Sequence, residues 1–566
     1  MKTTANHKRK KKHRSGELGD FTATRRIIPI SLLAMAIGFI ASWVAWLLLK
    51  LIGFFTNLFY FGRIDTALTS PAANHLGFFA IAVPVFGALI IGFMARYGSE
   101  KIRGHGIPEA LESILINGSR VSPRLAVLKP ISAAISIGSG GPFGAEGPII
   151  MTGGAFGSLI AQFFHFTSTE RKTLLVAGAA AGMAAVFATP LAAILLAVEL
   201  LLFEWKPRSV IPVALASVTA GTARRYILGL GPLFPVPAHP LSIGVAGLLW
   251  CMVAGLLAGV LSALMTQGVY AAEDLFHRLP VHWMWWPAIG GVFVGIGGII
   301  FPPALGVGYD VIGILLKGNV ALHLILGVLF VKSAIWIISL GSGTSGGVVA
   351  PLLMTGAALG GLESLFLPHY GPGFWELVSM GATLAGTMAC PFTAVVFAIE
   401  LTHDLNILLP LVIACFLSYG LVVLSLKRSI LTEKIARRGL HLSREYSLDP
   451  LEMLSVREVM RPPGDASPLS FDNNKPPVFA YPDEPLRAVV YRMVEHGLTS
   501  MPVARSRDDS RIHGVVSLDD LLQARTKNLA EEKARERVLR LRMPFRRTRR
   551  EATETSDDHP AYKVIP

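Results

Sequence analysis

Residues 138–154 read GSGGPFGAEGPIIMTGG, and residues 341–357 repeat the pattern as GSGTSGGVVAPLLMTGA. A second repeat follows in the same order, AVEL at 197–200 and AIEL at 398–401. We therefore infer two related halves, about 28–230 and 240–440. Duplicated halves with broken helices are a recurring plan of membrane transport proteins, with the binding site where the halves meet. The sequence leaves open whether the halves run parallel or inverted.

The composition indicates a membrane protein. Of 566 residues, 52% are hydrophobic and only 16% are charged, and the mean hydropathy is +0.53. Soluble proteins usually carry about a quarter charged residues. The apolar runs at 28–49, 241–264 and 322–340 are long enough to cross a hydrocarbon core of about 30 Å. We predict an all-α polytopic membrane domain over 27–440.

The charged ends predict the topology. Residues 1–26 are a basic arm without the features of a cleavable signal peptide, and a basic segment recurs near 546–550. Lysine and arginine are enriched on the cytoplasmic side of membranes. We therefore expect both termini in the cytoplasm, the protein in the inner membrane, and the net charge of +14 to favour anionic lipid rather than nucleic acid.

Few features suggest covalent chemistry. The three cysteines, Cys251, Cys390 and Cys415, lie in apolar segments without the spacing of a disulfide framework or metal site. The sequence shows no nucleophile–base pair. We expect no cofactor, no metal and no enzymatic activity.

Three glycine–proline clusters interrupt the apolar zone, at 104–108 (GHGIP), 144–148 (GAEGP) and 346–351 (GGVVAP). Proline is favoured at the first position of a helix, so each cluster predicts a helix that starts inside the protein. A helix start offers free N–H groups and the positive end of the helix dipole. Converging starts would form an anion site without a full positive charge. The alternative is three tight helix corners.

Glu146 lies in the middle cluster. A carboxylate within the membrane is costly and usually functional. The N–H groups that attract an anion would also stabilise the ionised Glu146 carboxylate, so the carboxylate would compete with the anion. It would close the path when ionised and open it when protonated. The alternative is a carboxylate that only caps its helix.

In order and spacing, the clusters resemble the GSGIP, GREGP and GxFxP motifs of the CLC family of chloride channels and chloride/proton exchangers. The resemblance implies a homodimer with one anion pore per subunit, and it makes Glu146 the gate. It also implies an anion site formed by His105, Gly106, Ile107, Gly144, Ala145, Gly147, Gly347, Val348, Val349 and Leu431.

Several residues depart from the family pattern. His105 replaces the filter serine, Val349 the phenylalanine of the third motif, and Leu431 aligns with the tyrosine of the central site. Two hydroxyl contacts are therefore missing, and we expect weaker central binding. His105 is either a protonated attractor of anions or a neutral histidine at a helix corner.

The internal proton-relay glutamate of many exchangers aligns with Leu200, which cannot carry a proton. We therefore predict a passive chloride channel. The alternatives are an exchanger whose proton path is rerouted through Glu199 or Glu204, and a membrane sensor that has lost transport. Glu199 also has a structural interpretation, because its repeat partner Glu400 suggests a shared role at a helix end.

Residues 452–525 resemble a CBS domain, a small α/β module, which precedes a basic and then polar tail at 526–566. The pattern predicts a helix over 486–496 and strands at 500–503 and 514–516. Ser517 and Asp520 match positions that contact the ribose of an adenine nucleotide in some CBS domains, or they form a capping box. Only one copy is evident, so we expect it to pair across the dimer.

Overall fold

A computed structural model describes residues 24–115, 118–240, 243–437, 451, 454–462, 478–505 and 511–524. The chain divides into two compact units, Met1–Glu445 and Tyr446–Pro566. Most of the predicted basic arm at 1–26 and the whole predicted tail at 526–566 lie outside the described residues.

The first half of the larger unit consists, in its described part, of α-helices joined by loops and short 3-10 or π-helical turns. Its α-helices are α1 (Ile27–Thr56), α2 (Ala82–Phe93), α3 (Ile107–Leu115), α4 (Pro123–Gly138), α5 (Glu146–Gln162), α6 (Ser168–Phe187), α7 (Pro190–Leu196) and α8 (Pro207–Ile227). A π-helical turn, Ala197–Leu202, continues α7.

The second half follows the same plan. Its α-helices are α9 (Gly244–His277), α10 (Trp286–Ile300), α11 (Tyr309–Leu316), α12 (Leu322–Leu326), α13 (Ser333–Gly341), α14 (Val349–Glu363), α15 (Phe374–Met388), α16 (Pro391–Thr402), α17 (Leu408–Ser425) and α18 (Ile430–Arg437). In the described residues, six helical segments are long and apolar enough to cross a membrane: Ile27–Phe61, Gly77–Gly98, Gly244–His277, Trp283–Ile300, Leu322–Gly341 and Leu408–Arg437.

Glycines allow the short internal helices to pack at backbone distance. A Cβ atom added at Gly153 of α5 would lie 2.3 Å from the carbonyl oxygen of Gly178 in α6, and one added at Gly178 would lie 2.2 Å from that of Gly153. Small residues at such contacts let the backbones of membrane helices approach closely. This close packing drives helix association in a membrane, because apolar side chains gain little by leaving lipid. The matching pair in the second half, α14 and α15, packs in the same way, with Gly360 against the Trp375 carbonyl.

The two halves exchange equivalent contacts. Glu199 of the first half accepts hydrogen bonds from the backbone N–H groups of Phe392 and Thr393 at the start of α16. Glu400 of the second half accepts the N–H groups of Leu191 and Ala192 at the start of α7. Each carboxylate therefore caps a helix of the opposite half, so the contacts between the halves are reciprocal.

The smaller unit contains α19 (Leu486–His496) and an antiparallel pair of strands, β1 (Ser500–Ala504) and β2 (Ile512–Ser517). Val489 and Met493 of α19 pack with Met501, Val503 and Val516 of the strands in a small apolar core. The fold class predicted from the sequence, an all-α membrane unit with broken helices followed by a small α/β unit, is confirmed.

Candidate functional site

The loops that precede three helix starts are hydrogen-bonded to one another. The N–H of Gly144 donates to the carbonyl of Gly347 at 3.2 Å, and the N–H of Gly347 donates back at 2.9 Å. The N–H of Gly104 donates to the Thr344 carbonyl at 3.0 Å, and that of Gly346 to the Gly104 carbonyl at 3.4 Å. The starts of α3, α5 and α14 therefore converge on one region.

Glycine is required at this junction because the backbones nearly touch. A Cβ atom at Gly147 would lie 1.8 Å from the carbonyl oxygen of His105. A Cβ atom at Gly347 would lie 2.6 Å from the carbonyl oxygen of Gly144. The sequence motifs thus place their glycines where no side chain fits, which brings the N-terminal ends of three helices together.

Glu146 occupies the space between the starts of α5 and α14. Its side chain is fully buried, and its Oε2 lies 2.7 Å from the position of a Cβ atom at Gly347. Oε1 accepts a long hydrogen bond of 3.4 Å from the Tyr309 hydroxyl, and Oε2 has no hydrogen-bond partner. The carboxylate therefore lies beside a helix start, where a small anion would also be attracted.

The structure brings most of the predicted anion-site residues to this junction. They are buried at, or immediately before, the three helix starts: His105, Gly106, Ile107, Gly144, Ala145, Gly147, Gly347, Val348 and Val349. His105 is 4% exposed, and its Nδ1 has no hydrogen-bond partner. This imidazole is the one side chain among them with an unsatisfied polar atom.

The Gly106 amide and the Leu431 side chain differ from the other predicted anion-site groups. The N–H of Gly106 donates to Oε2 of Glu109 at 3.0 Å, so this amide is already occupied. Leu431 is fully buried in the first turn of α18. The structure links α18 to α3 through Lys434, whose Nζ donates to Oε1 of Glu109 at 2.6 Å.

Sequence reasoning missed a buried lysine beside the junction. Lys129 is fully buried, and its Nζ donates to the carbonyls of Ile102 and Gly104 at 2.8 and 2.7 Å and to the Ser345 hydroxyl at 3.2 Å. It therefore fixes the loop that leads to α3.

A second lysine has the same role in the other half. Lys332 is also fully buried, and its Nζ donates to the carbonyls of Ala304 and Gly306 at 2.8 and 2.7 Å. Lysines 129 and 332 are separated by the 203 positions of the glycine repeat, which is the signal that could have revealed both.

Tyr309 was also missed. It begins α11, and its ring packs edge-on against Phe187 and Phe234 at centroid distances of 6.3 and 6.2 Å. The sequence contained a signal, because GVGY at 306–309 matches GHGI at 104–107. The fourth helix start of the repeat thus supplies a hydroxyl beside Glu146.

The residues considered for a proton path have other partners. Leu200 is fully buried. Besides the two N–H groups at the start of α16, Glu199 accepts the Thr393 hydroxyl at 2.5 Å. Burial raises the pKa of Glu204, but the Ser209 hydroxyl and three neighbouring basic side chains outweigh it, so the pKa lies below its ordinary value. Glu204 is therefore ionised at neutral pH.

The two residues considered for nucleotide binding contact each other. The N–H and hydroxyl of Ser517 donate to Oδ2 of Asp520 at 2.9 and 2.6 Å, and the N–H of Asp520 donates to the Ser517 hydroxyl at 3.3 Å. This is the geometry of a capping box at the start of the helix that follows β2. Asp520 also forms an ion pair with Arg461.

Known proteins match both units. The family model described as voltage gated chloride channel matches residues 86–422, and the CBS domain model matches residues 470–527. The H(+)/Cl(-) exchange transporter ClcA of Salmonella paratyphi A is 31% identical over 347 residues, which cover 58% of this chain and 72% of ClcA. A putative chloride channel protein, ClcB-like, from Ralstonia nicotianae is 29% identical over 365 residues, covering 63% of this chain and 85% of that protein.

Solved structures share the fold. The crystal structure of a slow cyanobacterial Cl-/H+ antiporter has a TM-score of 0.65 at 21% identity, and it covers 74% of this chain and 99% of the antiporter. A eukaryotic CLC transporter has a TM-score of 0.60 at 18% identity, covering 88% of this chain and 98% of that protein. With the converging helix starts, these matches show that the chain belongs to the CLC family of anion-transport proteins and carries a C-terminal CBS domain.

Proposed function

We propose that the protein is a gated, passive channel for chloride or a similar small anion, with Glu146 as its gate. The observation that carries the proposal is the position of the Glu146 carboxylate, fully buried between two helix starts. A negative group in this place occupies the site of an anion and repels one. Protonation removes the charge, so that an anion can replace the carboxylate.

The N–H groups at the helix starts are the proposed anion donors. Val348 and Val349 at the start of α14 and Gly147 in α5 supply them, while the Gly106 amide is engaged by Glu109. Dipoles and amides attract an anion without holding it as strongly as a paired guanidinium would, which suits rapid passage. The His105 Nδ1 is a further polar atom available to the anion.

Passive conduction is favoured by the side chains near the usual relay position. Leu200 cannot carry a proton, Glu199 caps α16, and Glu204 is engaged by Ser209, Lys206 and basic neighbours. None of these residues offers a carboxyl that is free to take up and release protons.

The second candidate is a chloride/proton exchanger. ClcA of Salmonella paratyphi A is named an H(+)/Cl(-) exchange transporter, and two solved structures of the same fold are described as antiporters. An exchanger of this sequence would need a proton route that avoids Leu200, for example through water near Glu199.

The deciding experiment is the reversal potential of the purified protein in lipid bilayers. For a passive channel, a tenfold chloride gradient sets about 59 mV, and an added pH gradient leaves this value unchanged. A shift in constant proportion to the pH gradient would establish exchange. Glu146→Gln, which removes the gate charge, should conduct anions without dependence on pH. An absence of anion flux in both the unmodified protein and Glu146→Gln would favour a sensor.

The assembly and its location belong to the same proposal. We propose a homodimer in the inner membrane, with both termini cytoplasmic, a membrane domain over 27–440 and CBS domains that pair across the dimer. The ion pair between Arg26 and Glu170, which joins the start of α1 to the start of α6, supports a common side of the membrane for these two helix ends. Cross-linking tests the dimer, and labelling of cysteines introduced at 15 and 540 tests the topology.

Nucleotide binding is proposed only at the CBS pair, where Ser517 and Asp520 would each exchange a capping contact for a ribose hydroxyl. Titration calorimetry with ATP and AMP tests it, with Ser517→Ala as the variant that should lose binding. Heat changes that are equal for the two proteins would refute it.

A further inference from the structure

Tyr309 is the one side chain in the described part of the chain that donates a hydrogen bond to the Glu146 carboxylate. Its hydroxyl has no second acceptor among the described residues. When the Glu146 carboxylate gives way to an anion, this hydroxyl therefore loses its acceptor. Donors inside a protein are usually kept in hydrogen bonds, so the hydroxyl needs a new acceptor in the same place.

The ring of Tyr309 is held in position by aromatic side chains. Phe187 and Phe234 pack edge-on against it at centroid distances of 6.3 and 6.2 Å, and Phe187 packs in turn against Phe397 at 5.1 Å. All three phenylalanines are at most 3% exposed. The backbone is fixed as well, because Tyr309 begins α11 directly after Gly308, whose φ of +79° favours glycine. The hydroxyl is therefore preorganised, which lowers the entropy cost of binding a ligand.

The hydroxyl lies too far from the carboxylate for a strong bond. An O–H···O bond usually spans about 2.5–3.0 Å, whereas this contact measures 3.4 Å. Chloride and bromide are larger than a carboxylate oxygen, so either ion, centred where Oε1 of Glu146 lies, would close the gap to the hydroxyl. Fluoride is about the size of that oxygen and would leave the gap open. The spacing therefore points to an anion of the size of chloride or larger.

A buried lysine makes the potential near this hydroxyl more positive. Lys332 is fully buried, and its Nζ lies 3.8 Å from the position of a Cβ atom at Gly308, the residue before Tyr309. Tyr309 also lines a cavity of about 190 Å³, but Asp310 is exposed in the same cavity and would repel an anion there. An anion is therefore favoured beside the gate, at the hydroxyl, rather than in the cavity.

We propose that the Tyr309 hydroxyl is a ligand of the transported anion, which it binds when the anion replaces the Glu146 carboxylate. The inference rests on the proposed gate and adds a specificity-determining residue to it. Where the family pattern has two hydroxyls, this chain has His105 and Leu431, and Tyr309 supplies a hydroxyl beside the gate instead. This hydroxyl favours chloride and bromide over fluoride.

The test measures halide binding to the full-length protein in detergent by titration calorimetry. Glu146→Ala removes the gate carboxylate and leaves its place open to an anion, so it is the reference protein. The test variant combines Glu146→Ala with Tyr309→Phe, which keeps the ring and removes only the hydroxyl. The matched control adds Tyr60→Phe instead, because the buried Tyr60 hydroxyl donates to the Ser139 carbonyl at 3.0 Å and not to the gate. The effect of Tyr309→Phe on the gate itself is measured separately, at chloride concentrations well below the Kd, where the contact with the anion contributes little.

We expect Tyr309→Phe to raise the Kd of chloride and bromide about tenfold, through loss of one hydrogen bond to a charged group, and to leave the Kd of fluoride within about twofold. Tyr60→Phe should bind all three halides as the reference does. The ratio of the chloride and fluoride Kd values is taken within one protein, so it does not depend on the fraction of folded protein.

The outcomes separate this inference from the proposed function. An unchanged chloride Kd, as when water takes the place beside the hydroxyl, would overturn the inference and leave the gate intact. An equal loss for all three halides, or an equal loss in Tyr60→Phe, would overturn it too. An absence of chloride binding to Glu146→Ala would instead refute the gate and this inference together.

Discussion

Replacing Glu199 with glutamine separates its two interpretations, a helix cap and a proton carrier. Its carboxylate accepts the Phe392 N–H at 3.3 Å, the Thr393 N–H at 2.8 Å and the Thr393 hydroxyl at 2.5 Å. A glutamine has one acceptor oxygen in place of two. Its NH₂ group would face one of these donors.

The loss follows from the contacts. The glutamine oxygen can turn toward Thr393, which keeps the shorter bonds but leaves the Phe392 N–H beside another donor. Losing the charge and one bond at a helix N-terminus costs about 1–2 kcal/mol. We expect a Tm lower by roughly 2–5 °C. Glu400→Gln is the matched control, because Glu400 caps α7 through two N–H groups at 3.0 and 2.8 Å and should cost a similar amount.

The assay measures Tm in detergent together with chloride and proton fluxes from liposomes. A cap predicts that both variants lose stability to a similar degree while the ratio of proton to chloride flux stays as in the unmodified protein. The reasoning is refuted if Glu199→Gln keeps its Tm and changes the flux ratio while Glu400→Gln changes neither.

Three further outcomes are expected. Gly147→Ala should abolish anion flux and lower the yield of folded protein, because its methyl group would lie 1.8 Å from the His105 carbonyl oxygen. Gly420→Ala, with open space around it, is the control: it should keep flux and raise the free energy of unfolding by about 1 kcal/mol. Tyr309→Phe removes a donor to the ionised gate, so the midpoint pH for opening should rise by less than about one unit in liposome flux assays; a fall in the midpoint would contradict this. Lys434→Met should lower the free energy of unfolding by about 3–5 kcal/mol, because it leaves the Glu109 carboxylate buried without its partner. Adding Glu109→Gln should restore part of the lost Tm. A double variant no more stable than Lys434→Met would contradict the ion-pair argument.

The sequence was sufficient for the helix starts and their glycines. Residues such as Gly147 and Gly347 are fixed by backbone contact, and a backbone requirement leaves a strong signal in the sequence. The repeat also indicated which segments correspond in the two halves.

The side-chain partners of the site could not be predicted in this way. Glu109 is in the first turn of α3, and nothing local in the sequence shows that Lys434, 325 residues later, is its partner. Tyr309 reaches Glu146 only because α11 packs against α14, which brings the start of α11 close to the start of α5. The match of GVGY at 306–309 to GHGI at 104–107 could have revealed a helix start at position 309. The contact between that start and Glu146 depends on the tertiary arrangement.

The reciprocal capping by Glu199 and Glu400 also concerns the origin of the chain. Among the described residues, each half contains a helix whose first N–H groups are satisfied by the carboxylate of the other half. A single ancestral half with this glutamate would have left those groups unsatisfied as a monomer and satisfied them by pairing with a copy of itself. The exchange seen between the halves is therefore what a gene duplication preserves when two identical subunits become one polypeptide.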